Sequence, residues 1–181
     1  MSTTEFHDLC AFIALPRVTR MVMRPDGGLL IVEVQHLRGE GDRYTTTLWA
    51  LDPAGDQPTR RVTWSANGET AAAFSADGTL LFTTKRADAG AGDDGEKPSL
   101  WALPSYGEAY RVAGAPAGIG GVVTAAGSAA YVCTTDRFPG TDEETDSAWR
   151  ATRSGHQVNA VIHGRFPIRH GDHELGPNFP R

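Results

Sequence analysis

The chain has few of the features that mark nucleic-acid-binding, membrane-inserted or disulfide-stabilised proteins. Its 181 residues carry a net charge of −5 and no cluster of arginine and lysine, which argues against a surface that follows nucleic-acid phosphates. The apolar run 9–15 is too short to span a bilayer, and it follows Glu5 and Asp8 where a signal peptide would carry basic residues. We therefore expect a soluble cytoplasmic protein with no nucleic-acid and no membrane partner.

Cysteine and catalytic motifs are equally scarce. The two cysteines, Cys10 and Cys133, lie in apolar, strand-like contexts, so we predict buried thiols and no disulfide. No serine lies in a G-x-S-x-G nucleophile elbow. The glycine-rich segment 118–121 precedes a strand-like run, whereas a phosphate-binding loop leads into a helix. We predict no catalytic residue and no cofactor in this chain.

What the sequence does contain is a repeat of about fifty residues, and such a period decides the expected architecture. Asp26 of RPDGG and Asp77 of SADGT are 51 residues apart, and the segments LWALD and LWALP begin 52 residues apart. In a weaker third copy Ala126-Gly127 replaces Asp-Gly, and VNAVIH from Val158 replaces the LWAL segment.

Each copy divides into short strands separated by turns. Asp-Gly between two apolar runs indicates a hairpin, because both residues tolerate the backbone angles of a tight turn. We predict that Val18–Met23 pairs with Leu29–Val34, and that Thr70–Phe74 pairs with Leu80–Thr84. Glycine or proline interrupts every apolar run before three helical turns could form, so we expect little or no helix.

Four antiparallel strands repeated about every fifty residues are typical of β-propeller blades, whose faces are buried by stacking. We predict an all-β fold, one partial β-propeller domain over residues 1–181, with about three four-stranded blades at 17–63, 70–112 and 119–169. A β-sandwich with a chance duplication is the alternative. An open arc leaves its terminal faces uncovered, so we also expect self-association. Trp49 and Trp101, at equivalent positions, are expected to pack between blades.

Five segments carry a family resemblance: LPRVTRMVMRPDGG, TTLWALDPAGDQPTRRVTWSANGETAAAFSADGTLLFTTKR, SLWALPSYGEAYRV, RFPGTDEETDSAWRATR and FPIRHGDHELGP. In this order, over nearly the whole chain, they resemble the N-terminal half of the propeller in bacterial serine peptidases of the prolyl oligopeptidase family, in the acylaminoacyl-peptidase or dipeptidyl-peptidase-like branch. The resemblance implies a propeller that screens peptide substrates by size, and a C-terminal α/β-hydrolase domain with a Ser, Asp, His triad as its partner.

The chain departs from that family in what it contains. No hydrolase segment follows Arg181, and a closed propeller of about seven blades would need roughly 350 residues at this period. We expect either a fragment of a longer protein or a truncated gene product.

Two polar segments are candidates for contact with another domain or a partner. The acidic run TDEETD, expected in a long loop between strands, is followed by Arg150 and Arg153, and long loops often carry contacts. In RHGDHE, His170, Asp172 and His173 are zinc-ligand types, but no cysteine or further spaced histidine completes a site. We therefore predict a turn and no metal there.

Two functions follow from the sequence. The first is the N-terminal part of the substrate-gating propeller of a serine peptidase, without catalytic residues of its own. The second is a separate propeller-like module that binds a protein or a ligand. A G-x-S-x-G motif followed by Asp and His in the reading frame after Arg181 would favour the first, and a stop codon would favour the second.

Overall fold

A computed structural model describes residues 7–39, 41, 43–88, 95–156, 169–170 and 173–174. Two helices and twelve strands lie in these ranges. The elements are α1 (Leu9–Ala14), β1 (Arg17–Met23), β2 (Leu30–Leu37), β3 (Tyr44–Leu51), β4 (Arg60–Arg61), β5 (Glu69–Phe74), β6 (Leu80–Thr84), β7 (Ser99–Leu103), β8 (Tyr110–Ala113), β9 (Gly121–Thr124), β10 (Tyr131–Thr134), α2 (Glu143–His156), β11 (Arg169–His170) and β12 (His173–Glu174).

The fold is mostly β, as the sequence predicts. Strands β1 to β4 form a four-stranded antiparallel sheet in chain order, here called sheet I, and β5 to β8 form sheet II in the same way. Strands β9 and β10 pair as sheet III, and β11 pairs with β12. The described strands form no closed barrel.

The two Asp-Gly turns occupy equivalent hairpins, which confirms the predicted pairings. Gly27 and Gly78 both adopt positive φ, 75° and 84°, a conformation that favours glycine because it has no Cβ. Each aspartate fixes its turn through Oδ1, since Asp26 accepts a hydrogen bond from the N–H of Gly28 at 2.9 Å and Asp77 from that of Thr79 at 3.0 Å. The same local chemistry therefore starts both sheets.

Sheet II packs between sheets I and III. One apolar cluster joins Ile31, Leu48 and Ala50 of sheet I to Phe82 and Trp101 of sheet II. A second cluster joins the opposite face of sheet II to Ile119 and Val122 beside and within sheet III. Since neighbouring residues of a strand face opposite sides, sheet II buries both of its faces.

Trp49 and Trp101 lie at equivalent positions in β3 and β7, and each indole N–H donates a 3.0 Å hydrogen bond to the hydroxyl two residues earlier, on Thr47 or Ser99. Trp101 is 5% exposed between sheets I and II, which confirms its predicted core position. Trp49 points away from Leu48 and sheet II and is only half-buried. The predicted packing between sheets is thus confirmed for Trp101, whereas Trp49 does not pack between sheets I and II.

The expectation of little or no helix is wrong, because the acidic run begins the 14-residue helix α2 instead of lying in a loop. Asp142 Oδ1 accepts the N–H of Thr145 at 2.8 Å, and Glu143, Glu144 and Asp146 occupy the first turn, where carboxylates favour the positive end of the helix dipole. These signals are polar, so a search for apolar periodicity does not detect them.

Cys10 also differs from its prediction. It lies in α1 and is exposed, because Asp8 begins a short helix there by accepting the N–H of Cys10 at 2.8 Å. Cys133 is in strand β10 as predicted and is half-buried, and burial raises the pKa of its thiol.

Sheet III has two strands in the described part of the chain, where the sequence predicted a four-stranded unit over 119–169. The segment from Val158 that was expected to supply its third strand lies outside the described residues. Helix α2 follows β10 directly in the order of elements, so the third copy diverges from the first two after its hairpin.

Candidate binding pocket between sheets I and II

A cavity of about 300 Å³ lies between sheets I and II, at the end that carries the two Asp-Gly turns. Its walls come from the β1–β2 and β5–β6 hairpins, from the ends of β3 and β4, and from the turn after β7. Two stacked sheets that twist relative to one another diverge towards their ends. The cavity is therefore an opening of the sheet I–sheet II core towards solvent.

The floor of the cavity is apolar. It is lined by Leu29, Ile31, Ala50, Val62, Leu80 and Leu103, with Phe74 beside them. Several of these side chains belong to the core cluster between the two sheets, so the rigid core itself shapes the floor. An apolar group entering here would be removed from water, which favours binding by about 25 cal/mol for each Å² of apolar surface buried.

Polar groups lie at the rim. Arg24, Arg60 and Ser105 line the cavity, and Arg60 and Ser105 are exposed. The Arg24 Nε donates to Asp26 Oδ1 at 2.8 Å, which positions the guanidinium, and this hydrogen bond raises the pKa of Arg24 and lowers that of Asp26. The Arg24 side chain also runs beside the second turn, since a Cβ at Gly78 would stand 3.4 Å from Arg24 Cδ.

These rim arginines were not singled out by the sequence analysis. Comparing the two copies gives a signal for them, because Ser75 and Tyr110 occupy in the second copy the positions of Arg24 and Arg60 in the first. Residues that both copies share maintain the fold, whereas the two guanidinium groups are specific to sheet I. The two arginines and Ser105 line the same cavity only in the folded chain, so the sequence alone does not show that they belong together.

Of the predicted contact residues, Arg150 and Arg153 lie together on α2 and both stack on the buried ring of Phe138, with guanidinium carbons 4.8 Å and 5.4 Å from its centroid. Arg150 also donates to Asp146 Oδ2 at 2.6 Å and to the carbonyl oxygen of Asp136 at 3.0 Å. The hydrogen bond from Arg150 lowers the pKa of Asp146. Arg150 therefore holds α2 to the loop before it, while Arg153 remains exposed.

His170 and His173 lie in the β11–β12 pair, where their backbones are opposite one another. Asp172 lies outside the described residues. The predicted turn would fall at residues 171–172, outside the described ranges, so it stays a prediction.

Within the described ranges, no group of three or more His, Cys, Asp or Glu side chains could hold a metal ion. Neither described helix is long and apolar enough to cross a bilayer. No protein-family model matches the chain, and a search of curated proteins found no match.

Proposed function

We propose that this chain supplies consecutive blades of a β-propeller and serves as the N-terminal, non-catalytic part of the substrate-gating propeller of a serine peptidase related to the prolyl oligopeptidase family. The observation that carries the proposal is the equivalence of sheets I and II. Both are four-stranded antiparallel sheets in chain order, start with an Asp-Gly hairpin, and pack face to face. Radial stacking of such units is how propellers bury their sheets.

The peptidase role rests on the five segments that resemble that family. In such a protein the propeller restricts access to the active site, and an α/β-hydrolase domain supplies the nucleophile. The 181-residue chain has no G-x-S-x-G motif, so the purified chain should not hydrolyse acyl-peptide or aminoacyl-ester substrates. Turnover that a serine-directed inhibitor abolishes would contradict this assignment.

Capture of the native protein tests the role directly. Antibodies raised against the chain would be used to isolate the protein from its source cells, followed by mass measurement and labelling with a fluorophosphonate that reacts with activated serines. We expect a species much larger than 19.4 kDa that becomes labelled. A captured species of 19.4 kDa that is not labelled would reject the peptidase role and favour a separate module.

A separate binding module is the second candidate, and the cavity between sheets I and II favours it. Pockets that bind small ligands are commonly apolar with a few polar groups at their edge, and this cavity has that composition. In either case α2 offers a contact surface for a neighbouring domain, with Arg153 exposed and Trp149 50% exposed.

A further inference from the structure

We propose that the cavity between sheets I and II binds the C-terminal residue of a peptide, with its carboxylate at Arg60 and Arg24 and its apolar side chain on the floor. The inference depends on the cavity's own geometry and goes beyond the proposed function, since it applies whether the chain belongs to a peptidase or acts as a separate module.

The two arginines can receive an anion. The side chain of Arg60 forms no ion pair or hydrogen bond with any residue in the described ranges. Asp26 engages only the Nε of Arg24, so the two terminal nitrogens of Arg24 have no acceptor there. A guanidinium presents paired N–H donors that match the two oxygens of a carboxylate. The chain as a whole has a net charge of −5, so attraction for an anion here is local.

The floor selects for what is attached to the anion. Leu29, Val62 and Leu103 are partly buried around the core cluster and line the cavity, so they would lose water contact when an apolar side chain enters. Inorganic phosphate could engage the arginines but would leave this floor exposed to water. The volume of about 300 Å³ lies at the small end of the usual range for ligand pockets, about 300–1,000 Å³, which suits one residue better than a long ligand.

The rim favours a peptide over a simple fatty acid. Ser105 lines the same cavity as the two arginines, and its hydroxyl has no hydrogen-bond partner among the described residues. The amide that precedes a C-terminal carboxylate would meet it, whereas an alkyl chain offers no polar group at that depth.

Isothermal titration calorimetry on the 181-residue chain tests the proposal with N-acetyl-leucine as the probe. We expect measurable binding of the acid and a loss of roughly ten-fold or more for N-acetyl-leucine amide, which lacks the charge that the guanidinium groups recognise. N-acetylglycine should bind more weakly than N-acetyl-leucine because it does not fill the floor. Hexanoate should also bind more weakly, since it has no amide for the rim.

Variants locate the binding. R60Q should weaken N-acetyl-leucine binding by roughly ten-fold and R60K by less, while R38Q, at the opposite end of sheet I, should bind like the parent chain. Circular dichroism would confirm that each variant folds. Equal binding of acid and amide, no binding of either, or unchanged binding by R60Q would overturn the proposal. Hexanoate binding as tightly as N-acetyl-leucine would overturn the peptide assignment.

Discussion

The buried carboxylate of Glu33 in sheet I accepts a hydrogen bond from the backbone N–H of Ala72 in sheet II, with Glu33 Oε1 2.8 Å from the nitrogen. The regular pairing of β5 with β6 is interrupted between Thr70 and Ala73, so this N–H lies at a β-bulge. A bulge leaves backbone groups without a partner in the sheet. Glu33 therefore supplies from the neighbouring sheet the acceptor that sheet II lacks, with Arg20 Nε 4.0 Å from the same oxygen.

Replacing Glu33 tests this bridge. Glu33→Ala should lower the free energy of unfolding by about 1–3 kcal/mol, because a buried N–H would lose its acceptor. Glu33→Gln keeps an acceptor oxygen and should cost less. Urea unfolding of both variants measures the difference. Equal losses for Ala and Gln would show that the hydrogen bond is not what Glu33 contributes.

The bulge also strains one residue. Ala71 has a φ of 57°, a left-handed conformation that costs an L-residue roughly 1–2 kcal/mol. Ala71→Gly relieves that strain, but it also loses a methyl contact and makes the unfolded chain more flexible. Because these effects oppose one another, we expect the free energy of unfolding to change by no more than about 0.5 kcal/mol. Ala73→Gly, in the same strand, relieves no backbone strain and should lower the free energy of unfolding by about 1–2 kcal/mol. Calorimetry measures the stability of both variants, and equal losses of stability would count against strain at Ala71.

The equivalent tryptophans should differ in their contribution to stability. Trp101→Ala should cost about 3–5 kcal/mol, since it empties the buried space between sheets I and II. Trp49→Ala should cost clearly less, because Trp49 is half-buried and points away from sheet II. Thermal unfolding followed by circular dichroism measures both. A shift near zero for Trp101→Ala would reject its place in the core.

Glu69 should make stability depend on pH. It is 1% exposed, and burial raises its pKa from the ordinary value of 4.5, although the N–H of Ser65, donating at 2.7 Å, opposes the shift. A raised folded-state pKa gives stability that is present below about pH 4.5 and is lost as the pH rises through the folded-state value. The stability of Glu69→Gln relative to the parent chain should therefore improve from pH 4 to pH 7.

Urea unfolding at both pH values measures that change. Glu108→Gln, on the exposed turn of sheet II, is the matched control for a lost carboxylate. A Glu69→Gln variant whose relative stability does not change with pH would show that the burial of Glu69 is not coupled to its ionisation.

Self-association should be directional. The outer face of sheet I exposes Met21 at 62%, and the outer face of sheet III exposes Val123 and Val132 at 62% and 67%. Because sheet II already packs between these two sheets, we expect the sheet III face of one copy to meet the sheet I face of the next. Such a heterologous contact forms rings or open chains.

Charged substitutions distinguish this head-to-tail contact from other ways in which two copies could associate. Met21→Glu and Val132→Glu should each remain monomeric alone, whereas an equimolar mixture should form 1:1 dimers, since each variant retains one intact face. Analytical ultracentrifugation measures the masses, with Tyr106→Glu, at a 94% exposed position, as the control. Association by either single variant, or a mixture that stays monomeric, would contradict the head-to-tail contact.

The sequence predicted sheets I and II well because their main signals are local. An Asp-Gly turn fixes its own backbone through Asp26 or Asp77, and the flanking apolar runs then pair in one register. Helix α2 was missed because its stability signals are polar, from the Asp142 cap to the Asp146–Arg150 ion pair, and only one of its residues with a described side chain, Asp146, is buried.

The pocket could not be predicted in the same way. Arg24 and Ser105 are 81 residues apart and line one cavity only because sheets I and II stack with their turns at one end. The bridge from Glu33 to Ala72 is also tertiary, because the bulge that frees the Ala72 N–H has no glycine or proline to mark it.

The burial of Trp101 gives the protein an internal optical reporter. Of the four tryptophans, Trp64 and Trp149 are 70% and 50% exposed, Trp49 is half-buried, and only Trp101 lies between sheets I and II. An indole in an apolar, water-excluded contact emits at shorter wavelength than one in water, so the blue part of the emission spectrum belongs to Trp101. Separation of sheet I from sheet II should therefore appear as a red shift of that component.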